Sequence, residues 1–187
     1  MDWPTYQHDL ARVLSQVSQA DVESFASWID YAYLTDRTVF VCGNGGSAAN
    51  ASHFAQDLAK GTGAYRSRTP LRAISLCDSV GAITAWANDS EYADVFTGQL
   101  QSLARPGDVL IAISGSGNSD NVLRAVLWGN DEGLHTVAVT GFDGGKLKRL
   151  AQFTLHVPCE NMGMVEAAHA AIFHHAVDRL REMWSRE

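Results

Sequence analysis

Apolar positions in the first 34 residues recur at helical spacing, with Leu10, Val13, Leu14 and Val17 in one group and Val22, Phe25, Ala26 and Ile29 in a second. This period predicts two amphipathic helices, over residues 3–17 and 20–34. The pattern then changes. Residues 38–42, 71–76, 109–113, 136–140 and 153–157 are short, nearly continuous runs of apolar and β-branched residues. Runs without polar alternation suit strands covered on both faces. Helical stretches lie between them, over 47–60, 79–88, 119–131 and 144–150, and a last helix spans about 162–184. Strand alternating with helix predicts an α/β fold, a three-layer sandwich whose five-stranded parallel sheet is flanked by helices, with the two N-terminal helices packed outside it. Ligands of such sheets bind at the carboxyl ends of the strands.

No internal repeat, low-complexity tract or linker divides the chain, and 187 residues of which 46% are apolar are enough for one substantial core. A single domain over 1–187 is expected, with residues 1–35 serving packing or oligomerisation and 36–187 forming the parallel core. The net charge of −7, with no basic stretch, argues against nucleic acid as the main partner. A small anion is still open to such a chain, because backbone N–H groups bind it at short range. Cys42, Cys77 and Cys159 are too widely spaced for a metal pair or a disulfide framework and read as reduced thiols. No leader-like start follows Met1-Asp2-Trp3-Pro4, and no apolar run approaches the roughly 18 residues of a membrane helix, so a cytoplasmic protein without membrane contact is expected.

Two turns carry the candidate chemistry. The first strand runs into Gly43-Asn44-Gly45-Gly46-Ser47 and then a helix start, an arrangement in which glycines let the backbone approach an anion and Ser47 caps the helix. Alone, such a turn is also found as a tight connection without a ligand. The third strand ends in Ser114-Gly115-Ser116-Gly117-Asn118-Ser119 before the next helix, and three hydroxyls there can surround a phosphate with neutral donors. The first turn lacks the order of a dinucleotide fingerprint, and no Gly-Lys-Ser/Thr ending makes a nucleotide-hydrolysing loop.

With Thr140-Gly141-Phe142-Asp143-Gly144-Gly145 downstream, the two turns resemble the SIS (sugar isomerase) fold, with flavodoxin-like winding, and specifically its phosphoheptose isomerase branch. The resemblance implies that Ser114, Ser116 and Ser119 hold the phosphate of a sugar. It also implies that Asn44, Gly45, Gly46 and Ser47, with Asn88 and Asp89, contact the sugar. The usual motif has Thr where Gly115 stands, which removes one donor.

His53 and Asp57 lie four apart on one helical face, and Glu166, His169 and His174 lie on the last helix, with eight residues between Glu166 and His174. Each is ordinary by itself; two such ridges can meet around a metal or a substrate. The resemblance places His53 and His174 where the family has its metal-binding and catalytic histidines, Asp57 where it has a glutamate and Glu166 where it has a glutamine. It implies zinc or another divalent cation held by His53, Asp57, Glu166 and His174. Catalysis then falls to Asp57 as base, or Glu166 if the shorter Asp57 fails to reach, with His174 as acid partner. The family's arginine after the catalytic helix and its aspartate before the glutamine are replaced by Gly61, beside Lys60, and Gly163. Lys60, Arg66 and Arg68 either restore that charge or are ordinary loop cations. Trp86, Trp128 and Trp184 read as packing anchors, His135 and His156 as structural, and His175 as pointing about 100° away from His174.

The function so implied is aldose–ketose isomerisation of sedoheptulose 7-phosphate to a heptose 7-phosphate through an enediol, for heptose biosynthesis, by a homotetramer whose sites are shared between chains. The alternative is a non-catalytic phosphosugar-binding regulator of the kind that associates with the bacterial replication initiator. His53, Asp57, Glu166 and His174 together favour the enzyme.

Overall fold

The computed structural model describes residues 1–63 and 70–185, so Arg66 and Arg68 lie outside the described residues. Helices α1 (Trp3–Ser15) and α2 (Gln19–Leu34) precede strand β1 (Thr38–Gly43). Helix α3 (Gly46–Gln56) follows, continued by one π-helical turn over Asp57–Gly61. Next come β2 (Arg72–Ser75), α4 (Val80–Asp89), α5 (Thr97–Leu103), β3 (Val109–Ser114) and α6 (Asp120–Asp131). The chain ends in β4 (His135–Thr140), α7 (Leu147–Leu150), β5 (Phe153–His156) and α8 (Met162–Trp184).

All five strands are parallel, in the order β2-β1-β3-β4-β5. The strands the pattern predicted are those of the sheet, wound as expected. The winding reverses between β1 and β3, and there the first and third strands deliver the two glycine–serine turns side by side. Alternate residues of the central strands feed two cores. Val39, Val41, Ile111, Ile113, Val137 and Val139 face α1, α2, α3 and α8. Phe40, Cys42, Leu110, Ala112 and Ala138 face α5, α6 and α7. The edge strands β2 and β5 are only four residues long and partly exposed, which limits the open backbone they present.

Helix starts are set by local chemistry. Asp2 accepts from the Thr5 N–H, Ser18 from Asp21, Ser79 from Ala82 and Asn161 from Met164. Helix α5 has no counterpart in the predicted elements: it is about two turns long, and its buried Gln99 is held by the carbonyls of Val95 and, across the fold, of Leu76, a tertiary bond no period reports. The expected packing roles of the aromatics hold. Trp86 lies against Gly98, and Trp184 stacks on Tyr33 with its indole N–H on Asp30. His135 is wedged against Trp28 and Tyr31. Burial raises the thiol pKa of Cys42 well above its ordinary value and raises that of Cys77, which leaves both as unreactive thiols.

Candidate active site

The two turns meet in one cleft of ≈ 260 Å³, lined by Asn44, Gly45, Gly46 and Ser47 from the first, and by Ser114, Gly115, Ser116 and Ser119 from the second. Met162 and Glu166 of α8 close it. Eight of the predicted binding and catalytic residues therefore share one space. Ser47 does not cap α3, however. The cap position is Gly45, with φ 55°, and Ser47 stands two residues further in, buried beneath the turn. In the second turn the Ser114 hydroxyl accepts the Gly117 N–H at 3.1 Å and lies 3.4 Å from the Ser119 hydroxyl. The loop is thus preformed around its own donors.

Asn121 is a site residue that the sequence did not reveal. Its amide donates to Asn44 Oδ1 at 2.9 Å and accepts from Asn44 Nδ2 at 2.8 Å, and the Tyr92 hydroxyl adds a third bond to Asn44 Oδ1 at 3.0 Å. Asn44, expected to touch the sugar, uses its side chain to staple the first turn to α6. Gly115 also has a structural account: a Cβ there would lie 2.5 Å from Met162 Sδ, so the methionine fills the space of the absent side chain.

Further along, α3 and α8 bring a second group together. His53 Nε2 lies 3.3 Å from Asp57 Oδ2, and His174 Nδ1 lies 3.5 Å from the same oxygen. The imidazole centroids are 4.9 Å apart and nearly perpendicular. Both rings are about half exposed, while the carboxylate is mostly covered. The register that makes them meet comes from the stacked rings of Phe25, Phe54 and Phe173, which pin α2, α3 and α8 with Phe54–Phe173 centroids at 4.3 Å. The π-turn opens at Asp57, whose carbonyl accepts the Thr62 N–H. Ligand atoms of His53, Asp57 and His174 lie within 4.8 Å of one another, a donor set whose chemistry fits a divalent cation.

Glu166 is not in this group. Helical side chains lean toward the helix N-terminus, and its carboxylate lies against Gly46 at the start of α3, where a Cβ on Gly46 would collide with it. Asn50 fixes that register through a 3.1 Å bond to the Glu166 carbonyl. Asn88 and Asp89 end α4, exposed and bonded to each other at 2.7 Å, and do not line the cleft of their own chain. Lys60 is exposed, and the Arg181 guanidinium reaches the Gly61 carbonyl at 2.8 Å. Between the two groups sits His169, fully buried. Its Nε2 bonds the Thr140 carbonyl at 3.2 Å, and its Nδ1 has no partner among the described residues. Desolvation lowers its pKa to about 4, so it is a neutral anchor between α8 and the end of β4.

Comparison with known proteins bears on the fold and the family. The SIS domain model matches residues 5–141. The chain is 39% identical over 175 residues to a probable phosphoheptose isomerase of Thermoplasma acidophilum, covering 93% of this chain and 94% of that protein. It is 45% identical over 143 residues to the phosphoheptose isomerase of Mycobacterium tuberculosis, covering 76% and 71%. The structure of the phosphoheptose isomerase from Neisseria gonorrhoeae superposes with a TM-score of 0.86 at 31% identity, covering 95% of each chain.

Proposed function

Because this chain belongs to the SIS-domain family, in its phosphoheptose isomerase branch, we propose that it interconverts sedoheptulose 7-phosphate and an aldoheptose 7-phosphate through an enediol, feeding heptose biosynthesis. The observation that carries the reading is the meeting of Asp57 with both His53 and His174, since catalysis needs ionisable groups in contact and simple binding does not.

The phosphate sits in the second turn, on the hydroxyls of Ser114, Ser116 and Ser119 and on the N–H groups of the turn. The sugar hydroxyls take the first turn. Asp57 removes the proton from the carbon beside the carbonyl, and His174 delivers one to the carbonyl oxygen. His53 holds the Asp57 carboxylate in place. His53, Asp57 and His174 would hold a divalent cation, which would supply positive charge beside the reacting oxygens when bound.

The two groups stand at opposite ends of α3, which advances about 16 Å from Gly46 to Asp57. A phosphate in one chain's turns served by the imidazole–carboxylate group of a neighbour fits that separation, in a homotetramer with shared sites. Helix α4 supports it too: none of its residues is buried, its apolar Val80 is exposed, and Ile83 and Trp86 are only partly covered by the second core. A neighbour covering α4 brings Asn88 and Asp89 to another chain's sugar. No helix among the described residues is long and apolar enough to cross a membrane.

The test is to incubate the purified protein with sedoheptulose 7-phosphate and follow the aldose by NMR, before and after chelation. Aldose formation that stops on chelation and returns with zinc is expected. Binding of the sugar phosphate without conversion under any metal would replace the enzyme with a sensor.

A further inference from the structure

Tyr92 is 56% exposed, so packing gives little reason for an aromatic ring there. Its hydroxyl nevertheless has a defined place on Asn44 of the first turn, and α6 puts it there. Arg124 of α6 reaches Glu91 and Asp94, on either side of Tyr92, and the Ser90 hydroxyl donates to Asp94 at 2.6 Å. These bonds hold the short turn Tyr92–Asp94 against the helix. One turn earlier on α6, Asn121 takes the Asn44 amide. The orientation of that amide follows from a backbone group. The Val122 N–H can only donate, and it donates to Asn121 Oδ1 at 3.0 Å. Asn121 therefore turns its Nδ2 toward Asn44 and requires an acceptor, which is Asn44 Oδ1. Tyr92 donates to the same oxygen. Both acceptor positions of Asn44 Oδ1 are thus filled, and one Nδ2 proton is used on Asn121. The second Nδ2 proton has no partner among the described residues, and Asn44 lines the cleft.

From this arrangement we infer that Tyr92 is a positioning residue for the sugar: its hydroxyl holds the Asn44 amide so that the remaining Nδ2 proton is presented to a hydroxyl of the bound sugar chain. The inference rests on the reading of the cleft as a sugar-phosphate site. Tyr92 does not line the cleft and acts through Asn44. The phosphate, seated on the hydroxyls and N–H groups of the second turn, does not depend on this amide. Tyr92 therefore governs how tightly the sugar part of the ligand is held, and not its anion. Asp57 and His174 take the reacting carbons, so the Asn44 bond falls on a hydroxyl that does not react. Its loss weakens substrate and transition state alike and is read in KM.

Calorimetric titration of sedoheptulose 7-phosphate into wild-type protein and Tyr92→Phe, with inorganic phosphate read by its competition, tests the assignment. The variant is expected to bind the sugar phosphate about fivefold more weakly, the size of one net hydrogen bond, and inorganic phosphate within about twofold of wild type. In steady-state kinetics kcat/KM should fall by the same factor, carried by KM. Equal weakening of both ligands would mean a general disturbance of the cleft and would overturn the inference, as would unchanged affinity for the sugar phosphate. A double-mutant cycle with Asn44→Ala is the second test: with the Asn44 amide removed, Tyr92→Phe should weaken binding by less than about twofold further. An undiminished fivefold loss on that background also overturns it. If Asn44→Ala does not fold, the comparison of the two ligands on Tyr92→Phe decides. Wild-type protein that binds the sugar phosphate without turning it over would replace the isomerase reading, while the binding ratio would still decide the role of Tyr92.

Discussion

Helices α3 and α8 run side by side and carry different chemistry at their two ends. At the first end, neutral hydroxyls, backbone N–H groups and the single carboxylate of Glu166 surround a cleft. At the other, Asp57 meets two imidazoles at 3.3 and 3.5 Å. The first end is made by backbone turns, which sequence neighbours dictate. The second is made by helix register, which the aromatic stack of Phe25, Phe54 and Phe173 dictates from three separate elements. Binding is thus assigned to local geometry, and proton transfer to tertiary packing.

The sharpest way to break this division is to damage each end separately. His174→Ala removes a proton donor and should lower kcat by about 10²–10⁴-fold, with sugar-phosphate affinity changed little. Ser116→Ala removes a donor to a charged phosphate and should raise KM by about tenfold, the loss of one charge-assisted hydrogen bond, with kcat nearly kept. Steady-state kinetics on the two variants decides the matter; a His174→Ala protein that turns over at the wild-type rate would sink the assignment of the reacting end.

How much of this was legible follows the same division. The strands and the two turns are written in runs of apolar residues and in contiguous glycine–serine motifs, while the winding that sets the turns side by side was expected from the family resemblance. His53 and Asp57 were also legible, since a spacing of four on one helix fixes a shared face. What brings His174 to them is a packing register, and only the family resemblance anticipated it. The Asn44–Asn121 staple joins residues 77 apart, and the buried bond of His169 to Thr140 joins residues 29 apart. Neither leaves a periodic trace. Glu166 was expected beside the histidines on the family resemblance, but its side chain leans back by a turn and reaches Gly46 instead.

His169 ties the two ends together, and its effect is read in stability. Its folded pKa of about 4 lies below the ordinary value of 6.5, because burial disfavours the imidazolium. Between those values the unfolded chain takes up a proton that the folded chain refuses. The contribution is therefore complete above pH 6.5 and declines as the pH falls toward 4, by about 1.4 kcal/mol per pH unit. Denaturant titrations at about pH 6.5 and about pH 5 should show wild-type protein losing on the order of 2 kcal/mol more than His169→Gln, which cannot titrate. Equal losses would mean that the imidazole is not desolvated in solution.

The smallest expected effect sharpens the binding end. Gly115 lacks the hydroxyl that the related motif provides, and Met162 Sδ occupies the space, 2.5 Å from where a Cβ would stand. The obstacle is the far end of a flexible side chain, and methionine repacks readily. Gly115→Thr should therefore fold, push Met162 aside and add one donor to the phosphate. A hydrogen bond to a charged phosphate contributes about 1.5–3 kcal/mol net, and displacing the thioether uses most of it, so affinity should rise about threefold. Calorimetry with the sugar phosphate on a His174→Ala background measures this without turnover. Unchanged affinity in Gly115→Thr that becomes tighter on adding Met162→Ala would show that the methionine, and not the missing hydroxyl, limits phosphate binding in this chain. No gain in either variant would place the phosphate away from residue 115 and return the seat to Ser114, Ser116 and Ser119 alone.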